Sequence, residues 1–504
     1  MGALNWAQAG AAADTVATGW EQEGGPGGAI VLFGRDGIGS IHEGGYASLE
    51  TRRKFTADTA CRFASVSKHF LCSLLLREGV IGLDETLGAY LPLSEAIGAV
   101  TVGRALDMTG GIPDAMETLW LLGVPPTSAM DRHALLRFVS RFDATNFPPG
   151  TEISYSNSGY RLVQAALERN GRGYFDALHE RFFGPLGLSI ALPEDWSEPV
   201  DTLATGYWRE GAVWRRGQYG LHFSASGGLT GTARDLATWA GALLAGRGPV
   251  AGLLDGLIAP RRLADGRETA YGLGLTRQTM RGHVLVGHGG SLPGYKTHLL
   301  MHPDSGAGIA LVSNREDTVA AMATLRIMAA LLGMELPPAA ETMLPAGRFV
   351  TDTGPFWLES APGGVTFLGS QEQLFDFGDG AATGLSAHMP VRLHRDGDGI
   401  AGEIGHVARR FRPVPADAAI DPRWSGVWAL ERENARFEID GGTLRMGVGP
   451  LTESVTLEPL GGARALMSHG QGGPSKQRVC LVFDGDEVRL VANRSRVLGF
   501  RRVG

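Results

Sequence analysis

The rhythm of apolar positions changes along the chain and divides it. Residues 27–34, GGAIVLFG, form an unbroken apolar run bounded by glycines, which predicts a strand. RDGIGS follows as a turn and IHEGGYASL as a second strand, a β-hairpin pattern. From Ser67 to about Glu78, SKHFLCSLLLRE has leucines at helical spacing and no glycine or proline. Similar spacing predicts helices at 133–141, 159–169, 174–183, 233–245 and 317–332. HVLVGH at 283–288 and GAGIALVSN at 306–314 predict two strands flanking a glycine-rich turn. Residues 1–335 therefore have strands at both ends and helices between. That order predicts an α+β domain whose first and last strands share one sheet.

The texture then changes. ELPPAAETMLPAG at 335–347 reads as a linker, and beyond it only short alternating runs appear, separated by glycine and aspartate. A second break, PVPADAAIDPRW, lies at 413–424. The stretches on either side form a loose repeat: AGRF and ARRFRPV bracket one, SGVW and LGFRRV the other. GGVTFLG in the first matches GGTLRMG in the second. Two small antiparallel β-barrels are expected, at 336–415 and 416–504.

Composition bounds the function. At 504 residues the chain exceeds one core, since single cores stop growing near roughly 250–300 residues. The net charge of -7 and the lack of a basic stretch argue against a nucleic-acid or anionic-membrane partner. Cys61, Cys72 and Cys480 lack the spacing of a disulfide framework or a zinc site. The N-terminus reads as no signal peptide and no long apolar run appears, so a soluble cytoplasmic protein is expected. Of 46 basic residues only Lys54, Lys68, Lys296 and Lys476 are lysines, so a lysine within a motif is informative.

Three motifs carry chemistry. In FASVSKHF, Ser65 and Lys68 are three apart at a helix start, which puts them on one face within reach of each other. Serine needs an adjacent base, and a desolvated lysine can be one. Alone the motif is weak: four lysines and ordinary serine usage give roughly 0.2 chance matches. PPGTEISYSNSGY at 148–160 sets Tyr155, Ser156 and Asn157 before a helix. A tyrosine can move a proton and an Asn amide can orient a lysine or a carbonyl, although packing is the commoner role for such residues. VGHGGSLPGY at 286–295 ends a strand on His288, and Gly289 and Gly290 allow close backbone approach. A lone histidine beside glycines is more often structural.

Taken in order, SVSK, YSN and HGG resemble the serine β-lactamase and penicillin-recognising superfamily, with YSN standing for SDN and HGG for KTG. The linking phrases GVIGLDETLGAYLP, TVGRALDMTGGIPD, FFGPLGL and SASGGLTGTARDLATWAGALL strengthen the resemblance over about residues 15–335. The replacements are similar to those of the class C β-lactamase, DD-carboxypeptidase, esterase and D-aminopeptidase branch. With two barrels following, the chain resembles the bacterial D-stereospecific aminopeptidases, in which a loop of the last barrel enters the active site and carries an acid for the substrate α-amine. The matching segment is 467–478, MSHGQGGPSKQR; it has no Asp or Glu and carries Lys476 instead.

The resemblance implies an acyl-enzyme serine hydrolase with a β-lactamase-like fold, an antiparallel sheet with a helical domain, over 1–335. Ser65 is the implied nucleophile, and Lys68 and Tyr155 share the base role. Asn157 orients Lys68 and the substrate. The backbone N–H groups of Ser65 and Ser291 form the oxyanion hole beside Gly289 and Gly290, and His288 binds a polar or anionic group. No cofactor or metal is implied. The expected substrate is a small peptide, amide or ester, and relatives of this kind are often homodimers. A carboxylic esterase and a non-catalytic sensor on the same fold are the alternatives.

Overall fold

The computed structural model describes residues 4–470 and 477–503. Its central sheet has six antiparallel strands: β1 (Gly28–Gly34), β2 (Gly37–Gly44), β3 (Thr276–Met280), β4 (His283–Leu292), β5 (Tyr295–His302) and β6 (Ala307–Ser313). Their order is β3-β4-β5-β6-β1-β2, so the ends of the domain meet, with Gly28 opposite Ser313. β1 is apolar throughout because both faces are covered. Ile30 and Leu32 enter one core with Ala13, Trp20 and Leu325, while Ala29, Val31 and Phe33 enter another with Ala237 and Trp239.

Two turns differ from the sequence reading. β2 begins at Gly37, so Arg35 and Asp36 alone turn the first hairpin. Gly289 and Gly290 do not turn the chain; they continue β4 to Leu292. The reversal falls at Pro293–Gly294, with Gly294 at φ 80°, and β5 follows it as an unforeseen strand.

The main helices are α1 (Trp6–Glu23), α2 (Lys68–Glu78), α3 (Asn157–Arg169), α4 (Ala233–Ala245) and α5 (Ala320–Leu332). Helix α1 is absent from the elements predicted from the sequence. The 133–141 expectation is met by Arg132–Ser140, and the 174–183 helix divides into Tyr174–Leu178 and a wider turn over His179–Phe183. No helix among the described residues is long and apolar enough to cross a membrane.

Downstream, eight strands from Gly347–Thr351 to Val407–Pro413 close into a barrel, the first pairing with the last at Phe349 and Pro413. A nine-stranded antiparallel sheet follows between Gly426 and Arg502. It curls until Glu453–Thr456 packs on Arg464–His469, which nearly closes it. Leu466, Cys480 and Val491 of this second unit enter the first barrel's core. One buried carboxyl also joins both units to the domain of the six-stranded sheet: Glu152 Oε1 accepts from Arg409 Nη2 and Arg496 Nη1, each at 3.0 Å.

Candidate active site

Ser65 sits in a tight turn, Ala64–Ser67, that runs into α2. Ala64 is held at φ 49°, in the left-handed region that a residue with a Cβ seldom occupies, and this directs the turn toward the sheet. Gly290 makes that approach possible: a Cβ there would lie 2.2 Å from the Phe63 carbonyl oxygen. β3 stops pairing at Gly287, so residues 288–292 of β4 extend past it. Ser65, Tyr155, Asn157, His288, Gly289, Gly290 and Ser291 all line one cavity of about 1130 Å³. Lys68 lies beneath it, fully buried.

The Lys68 Nζ environment determines its chemistry. It is 3.1 Å from Ser65 Oγ and 2.8 Å from Asn157 Oδ1, and it also donates to the Ser226 carbonyl. Burial pushes the amine well below its usual range; the Asp114 carboxylate draws it back up, and Arg494 and Arg161 push it further down. A neutral amine has two N–H donors and one lone pair. The Asn157 oxygen and the Ser226 carbonyl take the donors, which leaves the lone pair for the Ser65 hydroxyl.

Ser156 caps α3 by accepting from Ser158 N, so Tyr155 and Asn157 flank the helix start. Tyr155 Oη is buried and has no hydrogen-bond partner among the described residues. Burial drives its phenol up, while the nearby Ser65 hydroxyl and the Arg494 charge oppose that. Ser65 and Tyr155 are thus close without meeting hydrogen-bond geometry.

His288 is placed differently from its expected role. Nδ1 faces the Gly289 carbonyl at 2.6 Å and so carries the hydrogen; Nε2 then accepts from Tyr271 Oη at 2.8 Å. Both ring nitrogens are spent inside the protein, so the ring offers no donor to a substrate anion in this arrangement. Burial holds the imidazole well below its usual pKa.

Several residues at the site went unread in the sequence. Asp114 orients Asn157, and Ser226 holds Lys68 through its carbonyl. Their phrases, TGGIPD and SASGG, were visible, but no spacing marked either residue. His388 of the first barrel packs its ring 5.1 Å from that of Tyr155. Arg494 of the second barrel lies over the same ring, 4.7 Å from its centroid. In the segment 467–478, Ser468, Gln477 and Arg478 reach the cavity; residues 471–476, including Lys476, lie outside the described residues.

A family model described as Beta-lactamase matches residues 12–333. The chain belongs to the Beta-lactamase family. A D-aminopeptidase of Brucella canis is 30% identical over 405 residues, covering 77% of this chain and 74% of that one. A D-aminopeptidase of Cereibacter sphaeroides is 27% identical over 432 residues, covering 80% and 83%. The structure of the octameric penicillin-binding protein homologue from Pyrococcus abyssi superposes with a TM-score of 0.58 at 17% identity, covering 98% of this chain and 99% of that one. That similarity extends the shared fold across both barrels. This member of the Beta-lactamase family is a serine hydrolase of the β-lactamase fold.

Proposed function

We propose that this hydrolase is a D-aminopeptidase, which releases the N-terminal D-residue of a short peptide or amide through an acyl-enzyme on Ser65. The observation that carries the reading is the Lys68 amine, buried and aimed at Ser65 Oγ with its donors already used. Ser65 attacks the scissile carbonyl carbon and its proton passes to Lys68 Nζ. Burial shifts both groups toward the neutral form, the amine at Lys68 and the phenol at Tyr155. The phenol, without a partner of its own, protonates the leaving amine as the C–N bond breaks. Water then attacks the acyl carbonyl and gives a proton to the Tyr155 phenolate, and Lys68 returns its proton to Ser65 Oγ as the acid leaves. Ser65 and Ser291 N–H groups stabilise the oxyanion, each worth roughly 10²–10³ in rate. His288, with both nitrogens engaged, positions β4.

The relatives named D-aminopeptidase support the substrate class. The cavity volume slightly exceeds the roughly 300–1,000 Å³ of small-ligand sites, which suits a short peptide. The acid missing from segment 467–478 has a substitute in Glu117, buried in the same cavity wall. Burial holds its carboxyl up at about 7, and an ammonium beside it would draw it back to the anion.

Turnover of D-alanine p-nitroanilide, with the L isomer slower and Ser65→Ala inactive, is the expected result. Equal rates for the two isomers would refute the D-aminopeptidase reading. Cleavage of p-nitrophenyl acetate without any amide cleavage would make the protein an esterase.

A further inference from the structure

Among the described residues, four cationic side chains line the cavity, Arg161, Lys296, Arg478 and Arg494. Three are spent. Arg161 donates to the His222 carbonyl at 2.8 Å, Lys296 to Glu316 at 2.5 Å, and Arg478 to Glu359. The Arg494 guanidinium has no hydrogen bond or ion pair among the described residues and stacks on the Tyr155 ring.

Its backbone, by contrast, is held from several sides. Arg494 N donates to Glu117, and its carbonyl accepts from Asp114 N and Asn146 Nδ2, each at 2.9 Å. Ser154 Oγ donates to the Asn493 carbonyl at 3.1 Å, and Thr118 Oγ1 to Ser495 Oγ at 2.8 Å. Arg496 N donates to Asn146 Oδ1 at 2.9 Å. The barrel turn is thus clamped to the catalytic domain, while among the described residues its guanidinium makes no ion pair and feels the Glu117 carboxyl only at longer range. A rigid platform with an open guanidinium fork matches a planar anion.

We infer that Arg494 binds the carboxylate of the amino acid that leaves, so that the substrates are peptides with a free carboxylate one residue beyond the scissile bond. This rests on the D-aminopeptidase reading. In such a peptide the carboxylate lies two bonds from the departing nitrogen. If Tyr155 protonates that nitrogen, a cation stacked on the Tyr155 ring stands where the carboxylate arrives. Neutral amides and esters would leave the guanidinium unused.

The test compares kcat/KM for D-alanyl-glycine and D-alanyl-glycinamide in the full-length protein and in Arg494→Gln. The wild type should prefer the free acid by about ten- to a hundredfold, the range of a charge-assisted pair. In Arg494→Gln the preference should fall to within about threefold of parity, mainly through KM, and Arg494→Lys should keep part of it. Any influence of the guanidinium on Tyr155 acts on both substrates and cancels in this ratio. A wild-type preference below about threefold, or one that survives Arg494→Gln, overturns the inference. If neither peptide is cleaved, the D-aminopeptidase reading fails separately, and inhibition of p-nitrophenyl acetate hydrolysis decides. Glycine inhibiting at least about tenfold better than glycinamide, with the difference lost in Arg494→Gln, supports the carboxylate site; equal inhibition overturns it.

Discussion

Asn157 donates through Nδ2 to Asp114 Oδ2 at 2.9 Å, and this bond fixes which end of its amide faces Lys68. Asp114 is wholly buried and meets only donors: Asn157 N and Nδ2 on one oxygen, Glu117 N on the other. An asparagine there would turn an NH₂ against at least one of them. Asp114→Asn should lower kcat about 10²-fold by loosening Asn157 and with it Lys68. A second readout separates positioning from damage to the fold. The amine form of Lys68 is required, so activity falls as pH drops through its lowered pKa. The Asp114 charge holds that pKa up, so its neutralisation should move the acid limb of kcat/KM to lower pH. A limb that stays in place while the rate falls would reduce Asp114 to a structural role.

Buried and half-buried histidines give the pH dependence of stability. Burial holds His69 and His388 at about 3 and His222 and His298 at about 4, and it holds His288 well below its ordinary value. Between these values and the unfolded value of about 6.5, the unfolded chain binds protons that the folded chain does not. Stability therefore rises with pH over this window and is lost as pH falls through it. Glu117 and Glu372, raised to about 7 by burial, work in the opposite direction between about 4.5 and 7. Five histidines outweigh two carboxyls, so urea midpoints should decline steadily from about pH 6.5 downward. A midpoint flat from pH 7 to 5 would contradict this.

What could be read from the sequence was local. Ser65 and Lys68 share a helix start, Tyr155 and Asn157 flank a capped one, and the HGG strand is short; each motif was weak alone, and their order carried the resemblance that singled them out. Asp114 lies 43 residues from the Asn157 it orients, and Arg494 reaches Tyr155 from another domain. Nothing in the NRSR turn distinguishes an active-site cation from a surface one. Helix α1 was legible and still missed. Asn5 caps it, Gly24 ends it in the left-handed region, and Ala9, Ala13, Ala17 and Trp20 form its buried stripe. An alanine stripe is a weaker signal than leucines, but against a closely apposed sheet it packs as well.

The bonds of Glu152 to Arg409 and Arg496 connect all three structural units inside the protein. Removal of the carboxylate alone strands two buried guanidiniums. Glu152→Ala should therefore cost about 3–5 kcal/mol, seen as a lower urea midpoint. Replacing all three residues with apolar ones, Glu152→Leu with Arg409→Met and Arg496→Met, should recover most of that loss, because no uncompensated charge remains. Failure to recover would mean that the ions set the geometry between the units rather than only neutralising one another.

Gly290 and Gly289 are neighbours with different tolerances. A Cβ at Gly290 would lie 2.2 Å from the Phe63 carbonyl oxygen, a backbone atom that cannot swing aside. At Gly289 the nearest atom is His298 Cδ2 at 3.3 Å, on a side chain that can yield. Gly290→Ala therefore has to push β4 away from the turn that carries Ser65, separating the two N–H groups assigned to the oxyanion. The expected loss in kcat is about 10²–10³-fold, that of one oxyanion donor, against less than about tenfold for Gly289→Ala. Steady-state kinetics with a melting curve for each variant check this. Because the strain falls at the contact between strand and turn, Gly290→Ala should lose rate well beyond any change in KM, and equal losses for the two variants would remove Gly290 from its role in setting that contact.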